Sequence, residues 1–225
     1  MFRHSELQFA QSDLRATQKN SYYSDFYRKA GKRTLDLTLV LAAAPFVLLL
    51  IAILAMIVAC DRSNPFYSQD RVGLAGRTFR LWKLRSMVPD ADAVLASYLA
   101  ENEEARKEWD LTQKLRNDPR ITPFGRFLRR SSLDELPQLF NVLRGDMSLV
   151  GPRPMMVEQQ SMYPGTEYFL LRPGLTGLWQ VSERNGTTFA ARASYDAEYN
   201  ATLSLATDVQ TLRRTATVVL RGTGV

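Results

Sequence analysis

The 225-residue chain contains one cysteine, Cys60, and one histidine, His4. A lone cysteine excludes an intrachain disulfide and implies neither an oxidising nor a reducing compartment. With so little histidine and cysteine, Ser-His-Asp and Cys-His catalysis and Cys/His zinc sites fall away. P-loop and Rossmann glycine patterns are missing, as are internal repeats and low-complexity tracts. No nucleic-acid motif accompanies the basic charge, so nucleic acid is not an expected partner. Acid–base and nucleophilic work is left to carboxylates, lysine, serine and tyrosine. A bound metal would be a hard, oxygen-preferring ion such as Mg2+.

What the chain does have is positive charge and one long apolar run. A net charge of +6 suits anionic partners, either phosphorylated small molecules or an acidic membrane surface. Residues 1–27 read as a polar tail with no signal peptide. Residues 28–62 carry the run, almost wholly apolar from Leu35 to Cys60 and about long enough to cross a bilayer. Pro45 lies inside it, where it removes a backbone hydrogen bond and bends a helix. Arg28, Lys29, Lys32 and Arg33 precede the run, and Arg62, Arg71, Arg77, Arg80, Lys83 and Arg85 follow it. Positive charge marks the cytoplasmic side. A helix broken at Pro45 that dips into one leaflet keeps both clusters there; a straight span would translocate one. We expect the re-entrant form, with residues 63–225 as a cytosolic domain.

In that domain Thr78 to Met87 alternates as a short strand after a turn at Gly73–Gly76. Arg80 and either Lys83 or Arg85 would lie on its polar face, as a solvated edge or as phosphate ligands. Residues 91 to about 113 have helical spacing with a charged second half. Ile121 to Arg130 mixes Phe124, Phe127 and Leu128 with arginines, which suits a membrane interface or packing against the core. At the centre, Ser132 and Glu135 fit a capping box opening a helix, with Leu136, Phe140 and Leu143 turned to a core. Asp134 at such a helix start would stay ionised at neutral pH. Asp134 and Glu135 then either cap the helix or do chemistry there. Two prolines around Arg153 hold that arginine with little entropy to lose. Arg172 to Val181 reads as a constrained loop entering a strand. Leu205, Val209, Leu212 and Val218 form the apolar side of a final helix, lying on the domain or on lipid.

Lys83-Leu84-Arg85-Ser86-Met87, Ser132-Leu133-Asp134-Glu135-Leu136-Pro137-Gln138, Val150-Gly151-Pro152-Arg153-Pro154 and Arg172-Pro173-Gly174-Leu175-Thr176-Gly177 occur in that order. In this the chain resembles the bacterial sugar transferases, the monotopic polyprenyl-phosphate phosphoglycosyl transferases, from about Lys32 to its end. It looks most like the enzymes that start exopolysaccharide synthesis with galactose or glucose phosphate. The resemblance implies an α/β, mostly helical fold: a re-entrant membrane helix, amphipathic interfacial helices and a short β element. It implies transfer of a hexose 1-phosphate from a UDP-sugar to polyprenyl phosphate at the cytoplasmic face of the bacterial inner membrane. UMP is released, and downstream glycosyltransferases are further partners. Carried residue by residue, it makes Asp134 the nucleophile that becomes a phospho-aspartate and Glu135 the Mg2+ ligand. Lys83, Arg85, Arg129, Arg153 with Pro154, and more weakly Asp196, would bind phosphate and substrate. The chain departs from the family at Ala44-Pro45, where Ser-Pro is usual, and at Glu183, where glycine is common. A membrane-anchored scaffold of the same fold without turnover is the competing function.

Overall fold

Lys32–Val58 forms a single α-helix, α1, entered through a wider π-helical turn at Tyr27–Gly31. The structure, a computed structural model, describes residues 26–112, 115–182 and 189–220. Most of the expected tail, and Glu183, lie outside these. At 1.5 Å per residue α1 is about 40 Å long. Tyr27–Asp61 is the only segment among the described residues long and apolar enough to cross a membrane. Helical structure continues through Pro45, so the expected break is not an interruption. A proline removes one hydrogen bond and can bend a helix without ending it.

The two ends of α1 are tied to the rest of the protein and its middle is not. Near its start Arg33 donates to the Val142 and Leu143 carbonyls, and the Asp36 carboxylate accepts the Leu149 N–H at 3.0 Å. At its far end Leu54 packs with Leu84 and Leu128, and Arg85 donates to the Val58 carbonyl at 3.1 Å. Between them Leu41, Phe46, Leu48 and Leu49 are 60–79% exposed. Leaving such apolar surface in water forgoes about 25 cal/mol per Å².

A hairpin follows. β1 (Phe66–Val72) runs antiparallel to β2 (Thr78–Leu84), pairing Phe66 with Leu84 and Val72 with Thr78. Its turn uses left-handed backbone at Ala75 and Gly76. The helix expected over residues 91–113 is two, α2 (Ala91–Glu101) and α3 (Glu103–Thr112). Asn102 separates them in extended backbone, and its side chain accepts the Ala105 N–H. A residue that offers its own cap competes with helix continuation. α4 (Pro123–Arg130) starts with proline in its first turn and Thr122 as cap.

The capping box expected at Ser132 is absent. Ser132 has left-handed backbone (φ 56°) and makes no capping bond, and Leu133–Glu135 is one 3₁₀ turn. The helix that follows, α5 (Gln138–Arg144), starts only after Pro137. Proline has no N–H to give to an earlier turn, so it delays the helix. Of the residues expected to face a core, Leu136 and Leu143 do pack against one, but Phe140 does not. Phe140 is 54% exposed, whereas Gln138, Asn141 and Val142 are buried. Asn141 is accommodated because its amide bridges β2: Oδ1 accepts the Trp82 N–H and Nδ2 donates to the Arg80 carbonyl.

β3 (Ser148–Val150) and β4 (Gly174–Thr176) form a short parallel pair. Two glycines set their spacing. A Cβ on Gly174 would lie 2.1 Å from the Gly151 nitrogen, and one on Gly151 would lie 2.3 Å from the Arg172 carbonyl oxygen. These contacts are backbone on both sides, so no rotamer change could relieve them. The chain continues through α6 (Leu178–Ser182) and α7 (Arg192–Thr202) to α8 (Leu205–Leu220). α8 turns a polar strip inward: Asp208 and Thr211 are each 1% exposed, while Leu205 and Val209 face out.

Candidate active site

The Leu133–Glu135 turn is held from below by Leu133 and Leu136, which pack on the Leu54–Leu84–Leu128 cluster. That anchoring leaves Asp134 buried beneath the surface and brings both carboxylates to Lys83 on β2. The Lys83 Nζ lies 2.8 Å from Glu135 Oε1 and 3.8 Å from Asp134 Oδ2. Arg129 reaches the same place from the last turn of α4, its Nε donating to Ser86 Oγ at 2.9 Å. This approach depends on Gly125, where an added Cβ would lie 1.9 Å from the Ser86 carbonyl oxygen. Ser86, to which the motif gave no role of its own, therefore orients one of the site's cations.

Burial raises the Asp134 carboxyl above its ordinary range. Lys83 and Arg129 oppose this, while Glu135 adds to it. The expected control of Asp134 by a helix start is replaced by these two cations, because the turn is 3₁₀ and the helix begins later. An aspartate in a dry site, faced by two cations, is poised to accept an electrophile carrying negative charge.

Arg85 has another occupation. Its guanidinium binds both Asp61 carboxylate oxygens, at 2.6 and 2.7 Å, and the carbonyls of Asn64 and Val58. It clamps the end of α1 to the hairpin rather than turning to the carboxylate pair. The strand ends at Leu84, so the alternation that points Lys83 to the site no longer governs Arg85.

Arg153 and Asp196 fall in a second group. The loop that carries Arg153 is fixed by Gly151 N–H to Thr176 O and Gly174 N–H to Pro152 O, each 2.8 Å. Pro154 is half-buried and leads into buried Met155. Arg153 and Arg192 both stand over the Trp179 ring, at 5.9 and 4.2 Å from its centroid. Tyr163 donates to Asp196 at 2.8 Å, and burial pushes that carboxyl up to about 6. Arg192, Trp179 and Tyr163 were not singled out in the sequence. They come from separate elements, and no spacing relates them.

The donor set bears on a metal. Among the described residues no three His, Cys, Asp or Glu side chains converge. The adjacent Asp134 and Glu135 fit Mg2+, an ion usually held by one or two carboxylates together with substrate phosphates and water.

The chain is similar to known proteins over most of its length. The family model described as bacterial sugar transferase matches residues 27–222. The chain is 46% identical over 195 residues to the UDP-galactose-lipid carrier transferase of Erwinia amylovora, covering 86% of this chain and 41% of that protein. It is 46% identical over 200 residues to the undecaprenyl-phosphate galactose phosphotransferase of Salmonella typhimurium, with the same coverage of each. The exopolysaccharide production protein ExoY of Rhizobium meliloti is 41% identical over 200 residues, covering 86% of this chain and 87% of ExoY. The chain thus spans about two fifths of the length of the first two relatives and most of the third. The chain belongs to the bacterial sugar transferase family.

Proposed function

We propose that this protein transfers a hexose 1-phosphate, galactose or glucose, from a UDP-sugar to polyprenyl phosphate, with undecaprenyl phosphate as the acceptor. This would be the first membrane step of exopolysaccharide assembly. The observation that carries the reading is the buried Asp134 carboxylate between Lys83 and Arg129, on the turn that packs against the end of α1. Names of relatives support it: they include a lipid carrier transferase and undecaprenyl-phosphate phosphotransferases.

An Asp134 oxygen attacks the phosphorus that bears the sugar. The bond from that phosphorus to the bridging oxygen breaks, and UMP leaves with the electron pair. A phosphate oxygen of the polyprenyl carrier then attacks the same phosphorus. The Asp134–phosphorus bond breaks, giving a polyprenyl diphosphate sugar and a free carboxylate. Lys83 and Arg129 reduce the repulsion between an anionic nucleophile and an anionic diphosphate. Glu135, with Asp134 beside it, would hold Mg2+, which supplies further neutralisation of phosphate charge when bound. One pocket can serve a soluble and a lipid substrate because the covalent intermediate separates them in time.

A UMP-release panel over UDP-galactose, UDP-glucose and the N-acetylated sugars tests the reaction. We expect release with one of the two hexoses that requires added polyprenyl phosphate for sustained turnover. No release from any donor would reject the transferase. Lys83 adds a pH test. Asp134 must be deprotonated to attack, and Lys83 lowers its pKa against the effect of burial. Lys83→Gln is therefore expected to move the acid limb of the pH–rate profile to higher pH as well as to reduce the rate. An unmoved acid limb would show that Asp134 does not set it.

We also propose that α1 enters and leaves the membrane on one side. Both of its ends make contacts with the rest of the protein, the start with α5 and β3 and the end with β2, α4 and Arg85, while the stretch between them is exposed and apolar. In a Cys60→Ser background, Ala30→Cys and Asn64→Cys are expected to react with an impermeant maleimide only from the cytoplasmic side. Labelling from opposite sides would mean a true span.

A further inference from the structure

Arg71, Arg153 and Arg192 come together from three distant parts of the chain. Arg71, near the end of β1, bridges to Met156, three residues beyond Arg153. Arg153 and Arg192 share the Trp179 ring, and Arg192 also lies 5.1 Å from the Phe189 ring centroid. Both flank a pocket lined also by Tyr163, Tyr168 and Asp196.

Two carboxylates act on these arginines, Asp196 on Arg192 and Glu158 on Arg71. Asp196 is the buried carboxylate of the pocket, and it already accepts the Tyr163 hydroxyl. Glu158 acts on Arg71 and Glu167 on Asp196, the one on Arg71 favouring its charged form and the other disfavouring that of Asp196. Arg71 donates one Nη to Gln69, yet its Nε and that of Arg192 are buried with no hydrogen-bond partner among the described residues. Burial lowers the pKa of both guanidinium groups, and Arg153 lowers each further. Three guanidinium groups held in this way gain most from an anion with several acceptor oxygens.

We infer that Arg71, Arg153 and Arg192 form one seat for the phosphate that stays with the nucleotide, while the Asp134 turn receives the sugar phosphate bonded to it. The inference rests on the reading of the donor as a sugar nucleotide. A lipid phosphate carries the same chemistry, but the setting favours the nucleotide. The core under this pocket is Val72, Met155, Tyr163 and Tyr168, with no residue from α1. The Asp134 turn instead packs on the cluster that contains Leu54, Ala55 and Val58, so the membrane-bound substrate reaches that side. Arg71 and Arg192 are binding residues here. Neither is assigned a part in bond breaking.

The test uses the full chain in lipid nanodiscs with calorimetric titration of UMP, uridine and a short-chain prenyl phosphate. Arg192→Gln and Arg71→Gln are each expected to weaken UMP binding on the order of tenfold or more, as loss of a hydrogen bond to a charged group does. Uridine and prenyl phosphate affinities should not change, and Arg192→Lys should recover part of the loss. Melting temperatures close to that of the parent protein establish that the variants fold, and Arg71→Gln serves if Arg192→Gln does not. UMP affinity unchanged in both variants would overturn the seat, as would a loss confined to prenyl phosphate. Normal UMP binding in the parent with no turnover would instead reject the transferase and leave this seat standing.

Discussion

Asp134→Asn is expected to abolish UMP release while nucleotide binding survives. Asparagine keeps the shape of the side chain but supplies no anionic oxygen to attack phosphorus. Removing a covalent nucleophile costs on the order of 10³- to 10⁶-fold in rate where the remaining site still binds and orients substrate. The turn should hold its conformation, since Leu133 and Leu136 anchor it and Asp134 does not. A neutral side chain also removes the burial cost that raises the Asp134 pKa, so the variant should be no less stable than the parent. The measurements are UMP release and trapping of a phosphorylated protein by rapid acid quench. Full activity in the variant would reject Asp134 as nucleophile and leave an anchored binding protein as the better account.

Asp208→Ala is the second large effect, and it falls on folding. Asp208 is 1% exposed and accepts three hydrogen bonds: Tyr27 Oη at 2.6 Å, Lys32 Nζ at 2.7 Å and Tyr199 Oη at 2.6 Å. Tyr27 and Lys32 belong to the entry and first turn of α1, and Tyr199 to α7, so one carboxylate joins the apolar helix to the C-terminal helices. Its removal breaks the Lys32–Asp208 ion pair and leaves Asp36 as the carboxylate still acting on Lys32; breaking such a buried pair typically costs about 3–5 kcal/mol. For a chain of this length that corresponds to a fall in melting temperature on the order of 10 °C. Asp208→Asn should lose less, because an amide oxygen can still accept from one hydroxyl. Thermal unfolding in detergent would check both. A shift of Asp208→Ala within 2 °C of the parent, on the same scale, would show that the network adds nothing to stability.

The apolar run was legible because the 26 residues from Leu35 to Cys60, Asp36 and Thr38 apart, state nearly the same preference. The turn at Gly73–Gly76 and the strand beginning at Thr78 also stood, since alternation and turn glycines are local signals, but the strand ends at Leu84 and not at Met87. The helix start at Ser132 did not stand. Pro137 and the left-handed backbone at Ser132 outweighed a short motif whose energy is small. Phe140 was expected inside and lies outside, because the partner surface over α5 is β2, whose backbone is met by the Asn141 amide. The split of α2 from α3 at Asn102 followed the same logic on a smaller scale.

The candidate site shows the same division. Neighbouring residues left Asp134 and Glu135 open between capping and chemistry, and their roles, like those of Lys83 and Arg129, came from the resemblance to the family. Arg85 belongs to one of those motifs and yet clamps Asp61. The sequence alone determined the residue types available for chemistry, the apolar anchor and the family. Those depend on composition and on order along the chain. Only the tertiary structure decided which charges meet, that Lys83 faces the carboxylate pair and that Arg153 and Arg192 share one pocket. Such encounters are set by how distant elements pack, and the few kilocalories that choose one packing over another are spread across the whole core.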